Sequence, residues 1–214
     1  APCPAGTLFP PLVETGLPAR CMAGRVRLWT GEVSVDPAEV LEFWFAPAAR
    51  ERWFNSTPQF DDEIKSRFET TWQLARDDRL AEWESSPEGA LALAIVLDQF
   101  PLNMFRGNAL RHSTEAQARA VAARAIEQGF DDQLPRERLA FLYLPYMHSE
   151  SLADQDRSVE LFGKAGLEVN LEFATGHREI VRRFGRFPHR NNTLGRASTA
   201  EELEWLASPE AFNP

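Results

Sequence analysis

The sequence has little cysteine. Of its 214 residues only two are cysteines, Cys3 and Cys21, and both lie near the N-terminus. This pair does not make a disulfide framework, although a single bridge between the two residues stays open, and no Cys-x-x-Cys pair is present to hold zinc. The sequence also lacks the roughly 18 consecutive apolar residues of a membrane span and the charged and apolar regions of a signal peptide. We therefore expect a cytoplasmic protein without a membrane span.

An excess of basic residues is also absent. The chain has 23 lysines and arginines against 32 acids, and its formal charge is -9. A general nucleic-acid binder needs a basic surface to neutralise phosphates, so this class is excluded. Glycine-rich phosphate loops, dinucleotide fingerprints, serine-nucleophile patterns and the His-Glu-x-x-His zinc signature are missing as well. We predict no cofactor and no metal.

The N-terminal segment reads differently from the rest of the chain. Five prolines and two glycines fall within residues 1–21, a composition that opposes regular structure. The first methionine is Met22, which raises the hypothesis that the residues before it do not belong to the native protein. We expect an irregular segment over 1–35 and a single all-α domain over 36–214. The only stretch that alternates like a strand is 25–35.

Helix starts and apolar stripes punctuate the chain from residue 36 onward. Asp36, Thr57 and Ser86 each precede a proline, which favours a helix with a capping side chain and proline in its first turn. The unbroken apolar run 90–97 predicts a central buried helix. About eight helices with short connections are expected, near 37–45, 58–76, 87–100, 114–128, 135–147 with a kink or end at Pro145, 151–164, 169–184 and from Ser198 onward.

Four stretches carry a resemblance to a known family. They are Val-Leu-Glu-Phe-Trp-Phe at 40–45, Leu-Asp-Gln-Phe-Pro at 97–101 with Asn103 and Phe-Arg-Gly at 105–107, Tyr-Leu-Pro-Tyr-Met-His-Ser-Glu at 143–150, and Arg-Phe-Gly-Arg-Phe-Pro-His-Arg-Asn at 183–191. Over roughly 38–212 the chain resembles a bacterial family known as domain of unknown function 924. The resemblance implies an all-α fold similar to tetratricopeptide-repeat (TPR) helical hairpins packed antiparallel. It implies no activity.

A basic island interrupts the acidic chain at 177–196. It contains six arginines, two histidines and a single acid, Glu179. Arginine forks match carboxylate and phosphate, which favours an anion site. Two other interpretations stay open: the helix arginines could form a solvated face, and the loop arginines could pair internally with Asp98, Glu150 or Glu202.

The residues that could carry chemistry fall in two groups. The candidate catalytic residues are His148, Glu150, His177 and His189. The candidate ligand-binding residues are Asp98, Arg106, Arg186, Arg190, Asn191 and Arg196. For the buried Asp98 we weigh a cationic partner, Arg106 or the island, against a capping role at a turn. His177 lies within an apolar stripe and could equally be a satisfied core histidine. A metal could gather the three histidines and Glu150, but the spacing does not favour it.

Two functions of different classes follow from these residues. The first is a pocket that binds a small anionic ligand carrying phosphate or carboxylate, with catalysis open. The second is a helical scaffold that binds a peptide or protein partner without catalysis. A deep pocket in which the candidate side chains converge would favour the first. An open apolar groove elsewhere, with the arginines pairing inside the core, would favour the second.

Overall fold

A computed structural model describes residues 24–28, 31–209 and 211. Strands Gly24–Leu28 (β1) and Gly31–Val35 (β2) pair antiparallel, with Gly24 opposite Val35. The hairpin coincides with the one stretch that alternates in the sequence. The hypotheses on Cys3, Cys21 and the residues before Met22 lie outside the described residues.

Nine α-helices follow within the described part of the chain, and short 3-10 helices lie in several of the connections. The all-α fold class is confirmed. The helices are Pro37–Trp44 (α1), Pro47–Arg50 (α2), Pro58–Arg76 (α3), Pro87–Met104 (α4), Glu115–Glu127 (α5), Arg136–Met147 (α6), Leu152–Lys164 (α7), Glu168–Phe184 (α8) and Ala200–Leu206 (α9).

The three predicted capping residues are confirmed. Asp36 accepts a hydrogen bond from the Ala38 amide, and Thr57 and Ser86 accept from amides three residues ahead. Each cap satisfies one of the amides that the first helical turn leaves without an internal partner. The last helix begins at Ala200, two residues after the expected Ser198, because Thr199 and Glu202 form a reciprocal capping box.

Helix α4 is the centre of the fold. Every residue from Gly89 to Pro101 is buried, and the helix packs against α1, α3, α5 and α6. Helix α7 packs against both α6 and α8. Neighbouring helices along the chain therefore pack on one another, as in helical hairpins, while the finer likeness to TPR units stays a prediction. No helix in the described residues is long and apolar enough to cross a membrane.

Two prolines do not end their helices, and for Pro101 this differs from the sequence prediction, which ended the helix at residue 100. Helix α4 continues through Pro101 to Met104, and α6 continues through Pro145 to Met147. Proline has no amide to donate to the carbonyl four residues earlier, which for Pro101 is that of Leu97. The Thr114 hydroxyl supplies the missing donor, 2.5 Å from the Leu97 carbonyl oxygen. A distant residue thus satisfies the group that proline leaves open.

Candidate functional site

Most of the basic island is paired internally. Arg196 forms a bidentate ion pair with Glu150, at 2.6 and 2.9 Å, and Arg186 forms one with Glu202, at 2.6 and 2.8 Å. Asn191 donates to Glu202 and accepts from Arg196. The alternative of internal pairing therefore describes these arginines, which fix the loop after α8.

Burial and hydrogen bonding shift the pKa values of the two paired carboxylates in opposite directions. Burial by itself would raise the pKa of Glu150, but hydrogen bonds from Arg196 and from the Phe187 amide leave it lowered. The hydrogen bond from Arg186 lowers the pKa of Glu202 to about 2, against the effect of burial. Both carboxylates stay ionised at neutral pH and hold the loop by charge.

The arginines on α8 form a solvated face. Arg178, Arg182 and Arg183 pair with Asp156, Glu179 and Glu201, and the side chains of all three arginines are more than a third exposed. Exposed pairs of this kind contribute little to stability. Of the arginines in the island, this leaves Arg190.

Arg190 lines a cavity of about 600 Å³. The cavity lies among the C-terminal parts of α4 and α6, one face of α8, and the connections α2–α3, α4–α5 and α8–α9. All four histidines of the chain line it, as do three arginines, and none of the described residues lining it is acidic. The residues that define its chemistry are Arg106, Arg111, His112, His148, His177, His189 and Arg190.

A buried carboxylate, that of Asp98, orients His148. Asp98, whose side chain is fully buried, lies 2.9 Å from Nδ1 of His148 and accepts a second hydrogen bond from Gln99 at 2.6 Å. A carboxylate accepts, so Nδ1 of His148 carries the proton and Nε2 is the nitrogen left to act as a base. Such a pair can accept a proton from a bound ligand.

Arg106, one of the partners considered for Asp98, pairs with another acid. Arg106 lies eight residues beyond Asp98, about 12 Å along a helix at 1.5 Å per residue. Its guanidinium instead pairs with Asp61 on α3, with 2.8 Å between Nε and Oδ2. His148 takes the place predicted for a cation at Asp98.

A second carboxylate joins a histidine to an arginine. Oε1 of Glu115 lies 2.7 Å from Nδ1 of His112, and Oε2 accepts from Arg190 at 3.1 Å. The guanidinium carbon of Arg190 also lies 4.6 Å from the centroid of the Phe187 ring. Arg190 is buried by these contacts, and its Nε has no hydrogen-bond partner among the described residues.

His177 and His189 are neutral at physiological pH. Burial lowers the pKa of His177 to about 4, with His148 and Arg190 nearby acting in the same direction. Burial, and then Arg190, lower the pKa of His189 to about 3. Nδ1 of His177 donates to the Phe173 carbonyl at 2.8 Å, which fixes the tautomer of the ring. The two rings offer hydrogen-bonding groups without adding charge.

Arg111 is the unusual cation of the site. Its side chain makes no ion pair and no hydrogen bond within the described part of the chain, and Nε is buried. Burial lowers its pKa, repulsion from Arg106 and Arg190 lowers it further, and attraction to Glu115 and Asp61 offsets only part of this effect. A half-buried guanidinium without an ion pair costs free energy, and a bound anion would reduce that cost.

The structure brings together part of the predicted set. His148, His177, His189, Arg106 and Arg190 line the cavity, and Asp98 lies directly behind His148. The remaining four candidates do not line the cavity: Glu150, Arg186, Asn191 and Arg196. They pair with one another and with Glu202 of α9.

Arg111 and His112 were not predicted from the sequence. Both lie in the loop between α4 and α5, and Glu115 three residues after His112 was the local sign of a histidine–carboxylate pair. In the part of the chain that the structure describes, no three histidine, cysteine or acidic residues are placed to hold a metal ion.

Comparison with known proteins places the chain in a family. The family described as "Bacterial protein of unknown function (DUF924)" matches residues 40–210. The chain belongs to this family. A solved structure of a protein of unknown function from Agrobacterium tumefaciens is 39% identical, covers 80% of this chain and 96% of its own, and has a TM-score of 0.77. None of the curated proteins compared with the chain matches it. Membership confirms the resemblance seen in the sequence and leaves the function to be argued from the cavity.

Proposed function

We propose that the cavity binds a small organic anion, a carboxylate or a phosphate, with its charge held by Arg111 and Arg190. The observation that carries this proposal is Arg111, a half-buried guanidinium that lines the cavity and has no ion pair among the described residues. An anion bound there would provide the ion pair that Arg111 lacks, and arginine forks bind carboxylates and phosphates through paired hydrogen bonds. A cytoplasmic location belongs to the same proposal.

The other two arginines of the cavity pair with acids of the protein, and Arg190 keeps an Nε without a hydrogen-bond partner among the described residues. Arg190 donates to Glu115, and Arg106 pairs with Asp61. The acids that balance them do not line the cavity. A ligand would therefore meet donors from the arginines and neutral rings from His177 and His189.

His148 adds a possible chemical role to this binding site. Asp98 fixes its tautomer, so Nε2 is the basic nitrogen. We assign to His148 the role of proton acceptor toward the bound ligand, in an enzyme that works by general base catalysis. Asp98 is its positioning residue.

Thermal unfolding with added anions tests the binding proposal. Arg111→Gln removes the charge, and Arg182→Gln, an exposed arginine on α8 paired with Glu179, is the matched control. Inorganic phosphate and acetate should raise the midpoint of the wild-type protein and of the control at constant ionic strength. A ligand present at 100 times its Kd stabilises by about 2.7 kcal/mol. Arg111→Gln should abolish the shift and leave the ligand-free protein at least as stable, because it removes a half-buried charge that has no ion pair.

The scaffold hypothesis predicts a different result. If no anion shifts the wild-type midpoint, and Arg190→Lys alone unfolds the protein, the arginines are structural. A helical scaffold for a peptide or protein partner would then be the better description.

A further inference from the structure

The exposed apolar side chains of the molecule are not evenly spread. Six large apolar residues are exposed in the described part of the chain, and three of them line the same cavity as Arg111. These three are Phe54, exposed by 81%, Val169, exposed by 68%, and Phe173, exposed by 50%. Exposed apolar residues that converge on one cavity indicate a binding surface, whereas scattered ones are ordinary.

Phe54, Val169 and Phe173 form the apolar rim of the cavity, and the buried His177 lies at its floor. Helix α8 runs from the rim to the floor. Val169, Phe173 and His177 are spaced by four residues and so lie on one face of the helix. Their exposure falls from 68% to 50% and then to 7%, so the face descends from solvent to the buried histidine. At 1.5 Å per residue this face is about 12 Å long, roughly the length of an extended chain of eight to ten carbons.

The walls between rim and floor are largely apolar. Trp53, Leu102, Leu144 and Met147 line the cavity together with the rim residues. The buried Arg190 and His177, each 7% exposed, lie deep, and the most exposed apolar residues lie at the mouth. The cavity therefore offers charge and hydrogen bonds inside and apolar contact outside.

We propose that the ligand is an amphipathic anion, such as a medium-chain carboxylate or the phosphate ester of an apolar alcohol. Its acidic head would bind at Arg111, and its apolar part would lie along Phe173 and Val169 toward the mouth. This inference rests on the anion site proposed above and adds the apolar part of the ligand. A cavity of about 600 Å³ suits a ligand of this size.

Calorimetric titration with acetate, butanoate, hexanoate and octanoate tests the inference. Each buried methylene should improve affinity about three- to fourfold, so octanoate should bind roughly 80-fold more tightly than butanoate or better. 1-Octanol, which has the chain without the charge, should bind at least tenfold more weakly than octanoate.

Two exposed positions separate the tail from the head. Phe173→Ala should weaken octanoate about tenfold and leave acetate and inorganic phosphate unchanged, and Val169→Ala should act in the same direction. Leu203→Ala is the control, because Leu203 is 57% exposed on α9 and does not line the cavity. Arg111→Gln should weaken every anion.

The outcomes distinguish this inference from the proposed function. If all four carboxylates bind equally and Phe173→Ala changes nothing, the inference is wrong while the anion site stands. Equal binding of octanol and octanoate would also overturn it. If none of the anions binds, both proposals fail.

Discussion

Because the pKa of His177 is lower in the fold than in the unfolded chain, the free energy of unfolding should depend on pH. The side chain has a pKa near 6.5 in an unfolded chain and of about 4 in the fold, chiefly because it is buried. Between these values the unfolded chain binds more protons than the native protein, so stability falls as the pH falls. The contribution of His177 is fully present above pH 6.5 and is lost progressively down to about pH 4.

The expected magnitude at pH 5.0 follows from the two pKa values. Relative to pH 7.5, His177 should lower the free energy of unfolding by about 2 kcal/mol at pH 5.0. His189, with a pKa of about 3, should contribute a similar amount. The comparison ends at pH 5.0 because carboxylates such as Glu202, with a pKa of about 2, lose their contribution mainly below about pH 4.3.

Urea unfolding followed by tryptophan fluorescence measures this effect. His177→Gln should lose about 2 kcal/mol less than the wild-type protein between pH 7.5 and pH 5.0. The variant will also lose packing against Phe187, whose ring centroid lies 5.5 Å away, so the readout is the difference between the two pH values. If wild-type and variant show the same dependence on pH, His177 is not the buried neutral group described here.

Three further substitutions test the fold, each by the free energy of unfolding in urea at pH 7.5. Leu97→Ala in the central helix should cost about 2–5 kcal/mol, and a loss below about 1 kcal/mol would mean that α4 is not the core. Thr114→Val should cost about 1–3 kcal/mol, because the Leu97 carbonyl loses its donor and the Trp72 indole its acceptor; a neutral result would show that Pro101 needs no such donor. Gly185→Ala should cost roughly 1 kcal/mol, since Gly185 ends α8 with φ of 69°, and a stabilised variant would contradict that geometry.

The parts of the fold that were predicted correctly depend on local chemistry. Asp36, Thr57 and Ser86 cap helices through amides two or three residues away, so the sequence contains the whole interaction. The apolar run of α4 likewise requires burial wherever the helix lies. Pro101 misled the prediction because Thr114, which satisfies the Leu97 carbonyl, is 17 residues distant from it.

The candidate site was predicted only in part for the same reason. Arg186, Arg190 and Arg196 look alike in the sequence, but their partners lie on other elements: Glu202, Glu115 and Glu150. Arg190 pairs with Glu115, which is 75 residues away in the sequence, so this contact depends on how the helices pack. His177 was found because its spacing from Phe173 is a helical one, whereas Arg111 lies in a four-residue 3-10 helix that is too short to show a periodicity.

The role of His148 depends on an equally non-local contact. Asp98 and His148 are 50 residues apart, and each sits at the C-terminal end of a different helix. The ¹⁵N spectrum of His148 should show the Nδ1–H tautomer at high pH, and Asp98→Asn should remove that preference. An unchanged tautomer in Asp98→Asn would mean that Asp98 does not position the ring.

The most direct test of the anion site is a crystal of the protein soaked with 8-bromooctanoate, measured at the bromine absorption edge. We expect carboxylate density within about 3 Å of the Arg111 guanidinium. We also expect an anomalous bromine peak at the mouth, beside Phe173 and Val169. A bromine peak at the floor with the carboxylate in solvent, or no peak in this cavity at a saturating concentration, would show that the anion does not bind as proposed.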